Sequence, residues 1–343
     1  MILRKMIKRD FHMRVRYALT PQMAEYDRLE QSWVPYLMYF HNPCYSSSTV
    51  NTDSRGFRIT HKVGGIIGDF DHIGNRMVNL LCGGSLAFGV GATSDAMTIP
   101  SILSGMTGQL WLNFGGRAFN STQEFLLFLF HRRHLKDIGN IIVLSGINNL
   151  ILHYAAGSTF DEFGPFFFSL QYRQAMCQTA LPFRKRLARF AFGRRAESKH
   201  NQHHFCCGDT KEHILDILKR DIAHWKIFCD AQGIKIFYAL QPFANWTNKK
   251  LSKEEEALFA ELDLNPQNHF RVLKDKINLE LYQWFASSLK EVCETNAVRF
   301  LDVNACLSKC IPDKEWIFVD RAHLNDAGNR YVAQALLDNL GLK

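Results

Sequence analysis

The chain has 343 residues, 47% of them apolar, and a formal charge of +8 at neutral pH. That is enough apolar sequence to bury a full core in one large or two smaller domains, and it excludes a low-complexity or disordered protein. No apolar run approaches the roughly 18 residues that a membrane-spanning helix needs. Met1–Asp10 is basic but lacks the apolar segment of a secretory signal. Nine scattered cysteines, an odd number, fit reduced thiols better than a disulfide framework. The expectation is a cytoplasmic protein.

Residues 1–60 have mixed polarity and no clear period, so they read as an N-terminal extension packing on a main domain spanning 61–343. Within them, Thr49–Arg58 reads as a loop or short hairpin. Regularity begins near Arg76: strand 77–82, helix near 95–106, strand 109–114, helix 121–134 and strand 140–145. The helix at 121 carries a capping-box signature, Ser121 with Glu124 three residues on, ahead of Phe125–Phe128.

Residues 151–210 interrupt this rhythm and read as an insertion of lid-like character at the carboxyl edge of the sheet. It holds the Phe-rich 163–168 stretch and a basic helix at 183–195. In that helix Phe183, Leu187 and Phe190 share a face among arginines. The helix suits either peripheral contact with an anionic surface or a solvated cover for the core. No nucleic-acid reader motif accompanies the charge, so nucleic acid is not an expected partner. His200–Cys207 gathers histidines and cysteines, but Cys206 and Cys207 are adjacent and lack the Cys-x-x-Cys spacing of a zinc site. A polar loop is the expectation, with no metal and no cofactor.

The alternation then resumes: helix 211–231, strand 234–240, helices 253–262 and 275–295, strand 298–303, and a last helix from about Asn325. Strands alternating with helices of these lengths imply right-handed βαβ units. The fold class is α/β, a three-layer αβα sandwich on a five-stranded parallel sheet.

Candidate chemistry collects at strand ends. Val78–Cys82 is an apolar strand that stops at Gly83-Gly84 and presents Ser85 where open α/β sheets bind ligands. Ser85 is either a nucleophile or part of an ordinary Gly-Gly-Ser turn. A nucleophilic serine needs a base, a carboxylate to orient that base, and oxyanion donors. Asp320 and His323, three apart on a turn, can supply the first two in the order Ser, Asp, His, or can merely cap the helix that follows. The strand ending in Ser145-Gly146-Ile147-Asn148 places an amide over the sheet edge, as an oxyanion donor or as a helix cap. Ser85, Ala118 and Asn148 are spaced by about 30 residues, the length of one βα unit, so they can sit side by side. Gln241, after strand 234–240, reaches the same edge as a substrate contact or a turn residue.

These blocks resemble the SGNH (GDSL-type) hydrolase superfamily. Gly83-Gly84-Ser85-Leu86 is similar to its first block, with Gly84 where the family usually has Asp. Asn113–Ala118 resembles the second block, with Ala118 in place of the oxyanion glycine. A backbone N–H can still donate from alanine, provided Ala118 adopts the required backbone angles. Gly146-Ile147-Asn148-Asn149 resembles the third block, with Asn149 replacing an Asp, and Asp320–Asn325 matches the last. Asn51–Arg58 resembles a segment that often precedes the serine block in bacterial members. The resemblance covers roughly 50–150 and 210–343.

The resemblance implies a flavodoxin-like sandwich with a shallow site for acyl esters. It makes Ser85 the nucleophile, His323 the base and Asp320 its orienter. The oxyanion hole would be formed by the Ser85 and Ala118 N–H groups and the Asn148 side chain. Gly115, Gly116, Arg117 and Gln241 are candidate substrate contacts. A serine esterase removing small acyl groups, most plausibly acetyl from a sugar or polysaccharide precursor, is the first reading. An O-acyltransferase using the same triad on a sugar acceptor is the second. A non-catalytic glycan-binding scaffold is the third.

Overall fold

The computed structural model describes residues 13–156, 164–172 and 210–342, apart from 62–64, 66, 69, 71, 170, 266–267 and 269–272. The basic stretch 183–195 and the His/Cys stretch 200–207 lie outside the described residues.

In chain order the elements are α1 (Arg14–Leu19), α2 (Met23–Arg28), β1 (Gln31–Val34), β2 (Met38–His41), β3 (Thr60–His61), β4 (Ile67–Gly68), β5 (Met77–Gly83) and α3 (Ser85–Phe88). There follow α4 (Ile99–Thr107), β6 (Trp111–Gly115), α5 (Ser121–His131), β7 (Asp137–Ser145), α6 (Ile147–Ala156) and α7 (Thr210–Gln232). The rest is β8 (Lys235–Leu240), α8 (Lys253–Asp263), α9 (Leu279–Thr295), β9 (Arg299–Asp302), α10 (Val303–Cys310) and α11 (Asp326–Leu340).

Strands β5 to β9 form one parallel sheet of five in the order β6-β5-β7-β8-β9. This is the flavodoxin-like order, whose reversal point lies between β5 and β7. Because side chains alternate along a strand, each strand feeds both faces. Leu80, Cys82, Val143 and Tyr238 pack with Leu127 and Phe128 of α5, Trp225 of α7 and Phe285 of α9. Leu81, Ile142, Leu144 and Ala239 pack with Ile99 of α4, Leu258 of α8, Leu307 of α10 and Val332 of α11. The result is three layers, as the element pattern predicts.

Several boundaries differ from expectation. The capping box of α5 is set one residue earlier than Ser121/Glu124. The Asn120 side chain accepts from the Gln123 N–H at 2.9 Å, while the Gln123 side chain accepts from the Asn120 N–H. Ser121 instead donates its hydroxyl to Asp221 at 2.6 Å, and buried Glu124 accepts from Ser145 at 2.8 Å. Helix α9 begins only after Asn278, whose side chain accepts from the Leu281 N–H. Helix α10 was not foreseen; Asp302 caps it by accepting from the Asn304 N–H at 3.0 Å. Helix α6 runs on to Ala156, past the point where the insertion was expected to begin.

The segment before β3 is fastened to the sheet domain by a buried guanidinium. Arg58 donates through Nε to Asp95 at 2.7 Å, through Nη2 to the Thr49 carbonyl, and through Nη1 to the Tyr26 hydroxyl and the Gly89 carbonyl. Its side chain is fully buried and that of Asp95 nearly so. Asn51 adds N–H bonds from backbone and side chain to the same carboxylate. Removing one partner of a buried ion pair leaves an uncompensated charge, at a cost of about 3–5 kcal/mol. Asp95→Asn is therefore expected to lower unfolding free energy by about that amount in urea titrations; a loss within experimental error would contradict this role for Arg58.

Candidate active site

Ser85 opens α3 at the carboxyl end of β5. As the first residue of a helix, its N–H has no acceptor within the helix and is available to a ligand. The Ser85 carbonyl accepts from the Gly89 and Val90 N–H groups at 3.0 Å, which closes the short turn behind it. Ser85 Oγ lies 2.7 Å from His323 Nε2. His323 Nδ1 is 2.8 Å from Asp320 Oδ2 and 2.9 Å from Oδ1. An ionised carboxylate can only accept, so Nδ1 carries the proton and Nε2 faces the serine as an acceptor.

Asp320 is held from several sides. Its Oδ1 accepts from the Ala322 and His323 N–H groups, each at 2.9 Å. Arg16 of α1 places Nη1 3.8 Å from Oδ2. Burial pushes the Asp320 carboxyl up, but His323, Arg16 and the Ala322 N–H outweigh it and hold the group at about 2. The carboxylate is therefore ionised at neutral pH. A cavity of about 200 Å³ lies beyond it, lined by Met13, Arg16, Asp27 and Arg321 among others, and does not include Ser85 or His323.

The loops after β6 and β7 flank Ser85, because those strands are the two neighbours of β5. Ala118 sits at φ +60, in the left-handed region that costs alanine about 1–2 kcal/mol. This is the conformation that a glycine at its position would adopt without cost. Asn148 lies in the first turn of α6 and is buried. Its Nδ2 donates to the Phe119 carbonyl at 2.7 Å. An amide has two N–H groups, and among the described residues this is the one bond that Nδ2 makes. The same nitrogen would lie 2.7 Å from a Cβ at Gly84. A Cβ at 84 would therefore press on the Asn148 amide where it now stands. Asn149 joins α6 to α5: its Oδ1 accepts from the Ser121 N–H at 3.1 Å.

Of the expected substrate contacts, Arg117 is a correction. Its guanidinium donates to the carbonyls of Tyr26, Leu29 and Glu30, which binds it to the N-terminal segment. Gly115 and Gly116 are closed in as well. A Cβ at 115 would lie 2.0 Å from the Phe88 nitrogen, and one at 116 would meet the Phe119 ring at 2.2 Å. Gln241 is buried; its N–H donates to the Ser145 carbonyl and its carbonyl accepts from Asn304 Nδ2, the bonds of a strand-end turn.

Sequence reasoning missed Arg16, Tyr39, His41 and Asp326. Asp326, just past His323, accepts from the Thr93 N–H and hydroxyl at 2.9 and 2.6 Å and so ties the His323 turn to the loop behind α3. A capping carboxylate at the start of α11 was the available signal. Arg16, Tyr39 and His41 act across long sequence separations and carry no local signature. The described part of the insertion, 164–172, lies against this region: the Pro165 carbonyl accepts from Asn120 Nδ2 at 2.9 Å, and Phe168 packs edge-on to Tyr39.

No family model matches the chain, and no curated protein matches it significantly. Solved structures do match. An acetyl xylan esterase, AlAXEase, is 12% identical with a TM-score of 0.38, over 76% of this chain and 98% of that one. A lipolytic protein of the G-D-S-L family from Veillonella parvula is 11% identical with a TM-score of 0.40, over 78% and 99%. LAE5, an alpha/beta hydrolase from the metagenome of Lake Arreo, Spain, is 12% identical with a TM-score of 0.43, over 80% and 99%.

Because Asp320 is held near 2 in the folded chain, below its usual 3.8, it stabilises the fold above pH 4. That contribution, about 2 kcal/mol, is lost as pH falls from about 4 to 2. Urea titrations across this window are expected to show a shallower acid slope for Asp320→Asn than for wild type. Gly84→Ala should push the Asn148 amide off the Phe119 carbonyl, read as a shift of its Nδ2 amide resonances; unchanged resonances would contradict this packing.

Proposed function

We propose that the chain is a serine esterase of the SGNH type, acting on small acyl esters, acetyl foremost, of a carbohydrate. The observation that carries this reading is the continuous run from Ser85 Oγ to His323 Nε2 at 2.7 Å and from His323 Nδ1 to Asp320 at 2.8 Å. Ser85, His323 and Ala118 are half-buried, which suits a small acyl group carried by a bulky alcohol. The described cysteines are all free, in keeping with a reducing, cytoplasmic setting, and no helix among the described residues is long and apolar enough to cross a membrane.

In this mechanism Ser85 Oγ attacks the ester carbonyl as its proton passes to His323 Nε2. Asp320 accepts from Nδ1–H and stabilises the imidazolium. The oxyanion is met by the N–H groups of Ser85 and Ala118 and by Asn148 Nδ2. Collapse expels the alcohol, which takes the proton from Nε2. Water then attacks the acyl-Ser85 with His323 as base, and the acid leaves. If a sugar hydroxyl replaces that water, the same residues perform acyl transfer.

Wild type is expected to hydrolyse p-nitrophenyl acetate and an acetylated oligosaccharide. Ser85→Ala should abolish both activities, and Asn148→Ala should reduce kcat by about 100- to 1000-fold. Turnover that survives Ser85→Ala sinks the reading. Product partitioning toward an added sugar acceptor, measured in the same assay, separates transferase from hydrolase.

A further inference from the structure

The loop that carries Ala118 is gripped by the N-terminal hairpin at consecutive residues. The Arg117 N–H donates to His41 Nε2 at 3.1 Å, and the Tyr39 hydroxyl donates to the Ala118 carbonyl at 2.6 Å. Both hairpin residues belong to β2, which pairs with β1. They point to the same side because they are two apart in a strand. The Arg117 side chain completes the attachment through the carbonyls of Tyr26 and Leu29. These bonds bracket the peptide whose N–H is the proposed oxyanion donor, and they do so where alanine stands at φ +60.

We propose that Tyr39 and His41 are positioning residues for catalysis, which hold the Ala118 peptide in the left-handed conformation that turns its N–H to the oxyanion. This inference rests on the esterase reading and deepens it. The grip needs His41 as an acceptor at Nε2, hence neutral and protonated at Nδ1. Nδ1 meets the Gly56 carbonyl at 3.1 Å, which fixes that tautomer. The ring is packed 4.1 Å from the Phe88 ring. Burial, and next the Arg117 charge, hold the imidazole well below its usual range, so it stays neutral. Tyr39 is pushed up by burial and stays a donor. A glycine in place of Ala118 would hold φ > 0 with less help, so the hairpin substitutes for the residue that the sequence lacks.

The test uses the full chain, four single variants (Tyr39→Phe, His41→Phe, His41→Gln and Ala118→Gly) and the Tyr39→Phe/Ala118→Gly double variant. Tyr39→Phe and His41→Phe are expected to lower kcat on p-nitrophenyl acetate by about 10- to 100-fold, with KM within about twofold, since only an interaction strengthened in the transition state is lost. His41→Gln keeps an acceptor for the Arg117 N–H and should recover most of the loss. In the Ala118→Gly background the factor lost on Tyr39→Phe should shrink. Amide exchange at Arg117 should quicken in His41→Phe, a readout independent of turnover. Unchanged kcat in both Phe variants, or an equal Tyr39→Phe factor in both backgrounds, overturns the inference while leaving the esterase intact. Absence of Ser85-dependent turnover in wild type overturns the esterase reading instead, and unchanged Arg117 exchange in His41→Phe then overturns the grip as well.

Discussion

A fully buried guanidinium is the constraint on which the rest of the structure depends. Arg58 has no access to water, so each of its N–H groups must find an acceptor inside the protein or cost several kcal/mol. Those acceptors come from separate stretches: Tyr26 of α2, Thr49 of the following loop, Phe88 and Gly89 at the end of α3, and Asp95. They can meet at one point only if α2, the 49–58 loop and the turn at Ser85 are already correctly placed. The segment before β3 is thus part of the interior, and the carbonyls that end α3 are fixed from behind while Ser85 begins it.

The site follows from sheet order. β5 is flanked by β6 and β7, so a side chain just past β5, such as Ser85, has a neighbouring loop on each side. The residues of those loops proposed as donors are held differently. Asn148 is fixed by its own bond to the Phe119 carbonyl and by the space over Gly84. Ala118 is held from outside the sheet, by β2. His323 approaches from the other end of the chain, on a turn where Val319 and His323 bond through the backbone and Asp320 is ringed by N–H groups.

Much of this was legible in the sequence, and the reasons differ by element. The buried parallel strands are short apolar runs closed by glycine or polar residues, and they fall close to their expected places. Ser85, Asp320, His323 and Asn148 could be singled out because each stands at a strand or helix end where local chemistry is readable. The cap of α5 was misread by one residue because Asn-x-x-Gln and Ser-x-x-Glu overlap there, and only the inward burial of Glu124 decides between them. Helix α10 is eight residues long, too short for a periodic signal beside its strand. Arg117 looked like a substrate contact because it lies in the right block; its side chain instead turns to backbone carbonyls some 90 residues earlier, at separations of 87 to 91, which no local pattern reveals. The same distance hid Tyr39 and His41.

The contact that completes the site spans most of the chain: Ser85 and His323 are 238 residues apart. Closing such loops is entropically slow, and parallel pairing adds to the delay. During folding, then, a serine hydroxyl on a half-built sheet has no imidazole to take its proton and remains as inert as any surface alcohol. On the esterase proposal, reactivity arrives only when the segments bearing Ser85 and His323 dock on the same rim, so a chain short of that step is chemically silent toward the esters around it.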